Sequence, residues 1–250
     1  MDSHQLDINT IETLEAMEYA PYYHQWILDE FSKHIGENIV EVGSGSGSIS
    51  KKLLEANPKK LFCIEPSEMV YEKLSNTLNT FKSDKKITTD TNPLNCYLSE
   101  TSEKLKQENI DTIIYINVLE HIEDHAQALK NMSLLLKDSG CLVLMVPALP
   151  AIYGTLDQLV GHYRRYTRTM LNTLLKDSGL RIEKQFYMNM FGIFSWFIAG
   201  RILKYKAFDS VSGQRLDRCV GIVEGLESYI KPCIGQSLIT VCYKEKTHAT

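Results

Sequence analysis

Short apolar runs alternate with amphipathic stretches over roughly the first 180 residues, and the two periods place the elements. Ile39-Val40-Glu41-Val42 reads as a buried strand that runs straight into glycines. Beyond it Ile49, Leu53 and Leu54 recur at helical spacing, predicting a helix over 48–55. Leu61-Phe62-Cys63-Ile64 is a second strand, stopped by Glu65-Pro66 and followed by a helix over 69–78. Asn95-Cys96-Tyr97-Leu98 is expected as the third strand, 112–116 as the fourth and 141–146 as the fifth. Between the last two, Ala128, Leu129, Met132, Leu135 and Leu136 mark an amphipathic helix that Asp138-Ser139-Gly140 ends. Strand and helix in alternation describe an open α/β sheet covered on both faces.

Beyond Val146 the pattern changes. Pro147-Ala148-Leu149-Pro150 forbids a helix, and 153–168 reads as a loop of aromatic and basic residues. A helix over 169–178, a strand over 180–187 and a last strand over 237–243 follow. Residues 188–234 then form a helical insertion, too short for a core of its own and expected to act as a lid. Residues 186–200 carry no charge, yet fall short of the roughly twenty apolar residues a membrane span needs. Phe191, Phe194, Trp196 and Phe197 suit a core, a homodimer face or a greasy pocket wall. Arg201, Lys204 and Lys206 keep open a contact with an anionic membrane surface or a lipid-linked substrate. One domain over 1–250 is expected, with 1–35 as an N-terminal helical flap and 36–187 plus 235–246 as the core.

The chain has 250 residues and is 44% hydrophobic, ample for one core. With 27 basic against 31 acidic residues, a footprint for nucleic acid is not expected. The 6 cysteines contain no C-x-x-C pair and read as reduced thiols. The polar, acidic N-terminus resembles neither a signal nor a transit peptide, so a cytoplasmic protein is expected.

The sharpest motif is Glu41-Val42-Gly43-Ser44-Gly45-Ser46-Gly47, between a strand and a helix. Glycines let the backbone turn tightly and let a ligand lie against bare peptide groups. Counting G-x-G-x-x-G from Gly43 puts Ser48 where a dinucleotide fold wants its third glycine, and no G-K-[ST] follows, so a P-loop is excluded. Glu65 ends the next strand about twenty residues on, where a carboxylate can accept from two ribose hydroxyls.

On these residues the chain resembles class I S-adenosylmethionine-dependent methyltransferases. Within them it is similar to a bacterial subgroup often found beside or fused to glycosyltransferases. The resemblance is carried by YAPYYHQWI, IVEVGSGSGSIS, INVLEHIEDH, VPALPAIYGTLDQLVGHYRRYT, MNMFGIFSWFIAGRIL and IGQSLITVCYK. It implies a Rossmann-like seven-stranded sheet in the order 3-2-1-4-5-7-6, strand 7 antiparallel, with the insertion between strands 6 and 7. It also implies S-adenosylmethionine as cofactor and S-adenosylhomocysteine as product. Glu41 belongs to that motif, and Gly43, Ser44, Gly45 and Gly47 are implied to line the methionine part. Glu65 is implied to hold the ribose, Pro66 and Ser67 to flank the adenine, and Asn117 and Val118 to face the sulfonium. Glu100 and Thr101 stand where the family has an acidic residue near the adenine amine, although SETSE replaces its usual Gly-Asp-Ala.

Methyl transfer needs water excluded, a nucleophile aligned and a proton removed. His121 can serve as a general base near pH 7, or it packs beneath the cofactor while Asn117 and Glu120 form a capping box. His121 and His125, four apart beside Glu120, suggest a metal site of the Glu-x-x-Glu-His kind used by some quinone and RNA methyltransferases. Asn117 occupies the first carboxylate position, so no metal is expected and His125 reads as a solvated surface residue. His162 is the second candidate base. Arg164 and Arg165 can grip a carboxylate or phosphate, or one of them pairs with Asp157 to pin the loop. Tyr153 and Tyr166 share that alternative. Tyr22, Tyr23 and Trp26 are expected as an aromatic flap over the cofactor. The acceptor is expected to be a small molecule: a secondary metabolite, a glycan precursor or a lipid-linked compound. A rearrangement or cyclisation on the same fold, and a non-catalytic scaffold, are the competing functions.

Overall fold

A computed structural model describes residues 20–204, 210–229 and 231–245. Five parallel strands, β1 (Asn38–Val42), β2 (Lys60–Ile64), β3 (Asp90–Leu94), β4 (Thr112–Ile116) and β5 (Cys141–Pro147), join β6 (Leu180–Met188) and β7 (Ser237–Lys244). The seven-stranded sheet has the order β3-β2-β1-β4-β5-β7-β6, with β7 antiparallel to both neighbours. Central strands are buried on both faces, which is why β4 and β5 read as unbroken apolar runs.

Alternating side chains feed two cores. Ile39, Leu61, Cys63, Ile114, Val143 and Met145 pack against α1 (Pro21–Asp29), α2 (Ser48–Glu55) and α3 (Glu68–Lys85). Val40, Phe62, Ile113, Leu142 and Leu144 face α4 (Leu98–Leu105), α5 (His125–Leu135) and, beyond the short α6 (Thr155–Leu159), α7 (Arg168–Asp177). The pleat therefore sends Glu41 towards α2, on the opposite side from Val40 and Val42.

Two sequence expectations need correction. The third strand is Asp90–Leu94, and α4 begins where that strand was expected to end. As the edge strand it is only half covered and holds Pro93, which an edge tolerates, so it lacks the apolar signature of a strand. The stretch after β5 is not all loop, because α6 lies within it.

Between β6 and β7 lie α8 (Met190–Phe197), a π-helical turn (Ile198–Ile202) and α9 (Ser210–Tyr229). Two buried carboxylates of α9 fasten this insertion. Asp217 accepts from the Tyr22 and Tyr23 N–H groups (2.9 and 3.1 Å), and Glu227 accepts from those of Asn189 and Met190 (3.0 and 2.8 Å). Each puts negative charge at a helix N-terminus, of α1 and of α8, where free N–H groups point. Phe191, Phe194 and Phe197 are exposed on α8, whereas Trp196 turns inward. Lys206 and most of the N-terminal flap lie outside the described residues. Among the described residues no helix is long and apolar enough to cross a membrane.

The two-sided core predicts a contrast. Leu144→Ala, at a fully buried position of β5, should cost about 2–5 kcal/mol, whereas Leu134→Ala, exposed on α5, should stay within roughly 0.5 kcal/mol. Urea unfolding of both variants checks it.

Candidate active site

The parallel strands deliver their C-terminal tips to one edge of the sheet, where open α/β folds bind ligands. After β1 the chain turns through Gly43, Gly45 and Gly47 at φ +71°, +53° and +91°, conformations that L side chains rarely adopt. At Gly43 a Cβ would also lie 2.4 Å from Val118 Cγ2, so the turn and the tip of β4 meet without room for a side chain. The Gly43 and Ser44 N–H groups donate to Ile64 O (2.8 and 3.0 Å), tying the turn to the end of β2.

Glu65 follows at once. Its Oε2 accepts from Gly45 N–H and its Oε1 from Ser67 N–H, both at 3.0 Å, and the side chain is buried. Burial raises its pKa, while the two amides work the other way by favouring the charged form. The Asn95 amide holds the Glu65 and Pro66 carbonyls, so the end of β3 supports this corner. Glu41 lies beneath the turn and accepts from the Ser50 hydroxyl; burial pushes its carboxyl up to about 7, against the Ser50 and Ser44 hydroxyls, which lower it. At the adenine position expected from sequence, Glu100 accepts from Tyr97 N–H (2.6 Å) and caps its own helix, with Thr101 buried behind it.

A second group gathers past the tip of β4. Asn117 is exposed at φ +53°, and a 3-10 turn spans Leu119–His121. No capping box forms with Glu120. Glu120 is fully buried, and neither carboxylate oxygen has a hydrogen-bond partner; among the described residues no other buried side-chain oxygen or nitrogen is left so. Burial raises its pKa to about 7, and burial lowers that of His121 to about 4, with the His162 charge adding to it. His162 Nε2 stands 3.7 Å from Glu120 Oε1, and the His121 and His162 rings meet edge to face at 4.8 Å.

Asp157 sets the position of His162. Its Oδ1 faces His162 Nδ1 (2.9 Å) and accepts from Arg165 Nε (2.7 Å); its Oδ2 accepts from Gly154 N–H (2.9 Å) and Trp196 Nε1 (3.0 Å). Burial alone would raise this carboxyl, but His162, Arg165 and Trp196 together hold it below its ordinary value. An ionised Asp157 can only accept, so His162 Nδ1 carries a proton towards it, and Nε2 is turned towards Glu120. Tyr153 OH donates to His162 O (2.7 Å), and the Tyr163 N–H donates to Glu120 O (2.9 Å).

Several residues expected to touch substrate are committed elsewhere. Arg165 is buried against Asp157, Ala148 O and the Trp196 ring, so it pins the loop. Asp157 is its partner and is equally inaccessible. Tyr166 is fully buried, donating to Leu119 O (3.3 Å) and sharing a hydrogen bond with His125 Nδ1 (2.9 Å). His125 is therefore not a free surface residue. Arg164 donates to Ile122 O and Glu123 O (2.5 and 3.0 Å). Tyr23 and Trp26 belong to the core under α1 rather than to an open flap; Tyr22 remains exposed. Sequence reasoning placed Trp196 in a core, a dimer face or a pocket wall and missed its N–H as a donor to Asp157. It also missed the approach of Glu120 to His162.

A family model described as a methyltransferase domain matches residues 17–185. The chain belongs to that family. An uncharacterized methyltransferase of Schizosaccharomyces pombe is 32% identical over 59 residues, 24% of this chain and 23% of that protein, so the chain spans less than a quarter of that relative's length. A SAM-dependent methyltransferase of Archaeoglobus fulgidus is similar in structure, with TM-score 0.53 and 15% identity over 87% of this chain and 91% of that one. The [4+2]-cyclase SpnF shares the architecture at TM-score 0.55 and 14% identity, over 91% and 81% of the two chains. At such identities the structural likeness establishes the seven-stranded methyltransferase fold.

The buried acid beneath the glycine turn gives this methyltransferase-family protein a pH signature. Between about 4.5 and about 7 the unfolded chain releases a proton that folded Glu41 keeps, so stability falls as pH rises through that window and levels above it. Glu41→Gln should flatten part of that fall and stabilise the protein at pH 8 by up to about 3 kcal/mol. Melting temperatures measured from pH 4.5 to 8 check it.

Proposed function

We propose that this chain transfers the methyl group of S-adenosylmethionine to an oxygen or nitrogen atom of a small molecule. The observation that carries the reading is the Glu65 carboxylate, fixed by Gly45 and Ser67 N–H beside a turn of bare peptide. Its unused lone pairs suit the two ribose hydroxyls, and the side-chain-free peptide at Gly43, Gly45 and Gly47 suits the amino-acid portion. S-adenosylmethionine supplies an electrophilic methyl on a sulfonium. The protein's part is to align the acceptor, keep water out and take up a proton. His162, with Nδ1 held by Asp157 and Nε2 on the opposite side of the ring, is suited in its neutral form to the last of these. His121 stays neutral above about pH 4 and suits a packing role next to it.

Support for the acceptor class comes from the insertion. The phenylalanines on α8 and the exposed Ile202 and Leu203 form an apolar face next to Arg201, which favours an acceptor with an apolar portion, such as a lipid-linked precursor. The same face suits contact with a membrane surface or a second copy of the chain. The five free cysteines among the described residues are compatible with a cytoplasmic setting. A rearrangement on this fold, as in the cyclase named above, is the second reading. A histidine oriented through Nδ1 by a buried carboxylate favours transfer to a protonated nucleophile instead.

Titration calorimetry with S-adenosylmethionine and S-adenosylhomocysteine should give saturable one-to-one binding, weakened more than tenfold by Glu65→Ala, which leaves two ribose hydroxyls poorly paired. Absence of binding by either compound would overturn the transferase reading, and an unchanged Kd in the variant would overturn the role of Glu65.

A further inference from the structure

The Glu120, His121 and His162 side chains offer one ligand atom each, all within 4.8 Å of one another. Three features of this cluster are hard to reconcile with a merely structural role. Glu120 is fully buried with both oxygens unpartnered, a costly state unless a proton or a cation compensates it. The nearest group, His162 Nε2, lies on the side of the ring away from Asp157, which holds Nδ1. At 3.7 Å the carboxylate and the imidazole are too far apart for a hydrogen bond. Two ligands each about 2.1 Å from a shared ion lie roughly 3–3.5 Å apart, so a small contraction would let both bind one cation.

We propose that Glu120, His121 and His162 form a binding site for a divalent first-row transition-metal ion. Two imidazole nitrogens with one carboxylate oxygen favour an ion of the zinc, cobalt or iron kind over magnesium or calcium, which prefer all-oxygen surroundings. Asp157 plays the part that a carboxylate plays behind metal-bound histidines, fixing the tautomer and the ring orientation. Three protein ligands leave coordination positions open for water or for an oxygen of the acceptor. A metal bound there would occupy the His162 lone pair, so in the metal-bound protein His162 holds the ion in place of the proton and the ion favours a hydroxyl acceptor over an amine; that consequence rests on the transferase reading, while the site itself does not. His125, four residues from His121 and the expected second histidine, is engaged with Tyr166 and takes no part.

The test uses the purified, chelator-treated chain without an affinity tag, titrated with Co2+ and followed by its visible absorption, with Zn2+ competition and Mg2+ as comparison. The expected result is one Co2+ per chain, displaced by Zn2+ and not by equimolar Mg2+. Glu120→Gln should weaken Co2+ binding at least tenfold while remaining folded by circular dichroism, because it removes an unpaired buried acid. Asp157→Asn should weaken binding about 10–100-fold. No saturable Co2+ or Zn2+ binding, or unchanged affinity in Glu120→Gln, would overturn the site. S-adenosylhomocysteine binding is measured on the same metal-free sample. Its presence without metal binding defeats the metal site alone, and metal binding without it defeats the transferase reading alone.

Discussion

The Asp157 carboxylate is the constraint on which the arrangement of this edge depends. It is wholly buried, and it collects a backbone N–H at the start of α6, an indole from α8, a guanidinium and an imidazole. Three stretches of chain that the sequence keeps apart are therefore held by two oxygen atoms. The carboxylate and Arg165 neutralise each other where neither would be tolerated alone. The docked insertion adds contacts of its own: Thr155 Oγ1 donates to Gly200 O (3.0 Å), and Arg201 Nη1 donates to Tyr153 O (3.0 Å). The histidine at the centre consequently has little freedom, which suits the proton-accepting role proposed for it.

The buried acids fall into contrasting classes. Asp157, Asp217 and Glu227 are surrounded by donors and serve the architecture. Glu41 shares a hydroxyl beneath the turn, and Glu65 keeps capacity to spare after its two amide bonds. Glu120 alone among the described buried side chains has nothing to bond to. The residues with unspent hydrogen-bonding capacity sit at the tips of β2 and β4, on opposite sides of the glycine turn. That division follows a physical logic: polar groups left under-satisfied in a folded interior mark where a ligand is to complete them.

Much of this was legible in the amino-acid sequence. β1, β2, β4 and β5 are covered on both faces, so their residues form apolar runs that composition alone exposes. The turn announces itself because only glycine accepts its backbone angles, and Glu65 because it directly ends a strand. β3 was misplaced since an edge strand need not be apolar, and Asp90–Leu94 carries a proline among polar residues. The GHYRRY stretch was recognisable as a place of interest, but not the division of labour within it. Whether an arginine grips a ligand or a buried aspartate depends on burial, and Arg165 and Arg164 differ in nothing a sequence reveals. The meeting of Glu120 with His162 is harder still, because it is made by the fold and by no local spacing.

The central claim is that the clasp at β1 and β2 and the histidine–carboxylate group past β4 serve one ligand. A crystal structure of the protein with S-adenosylhomocysteine measures this directly. The account predicts both ribose hydroxyls within hydrogen-bond distance of the Glu65 carboxylate, and the thioether sulfur beside Val118 on the side facing His162. A product bound away from Glu65, or one whose sulfur points away from that histidine, would contradict it.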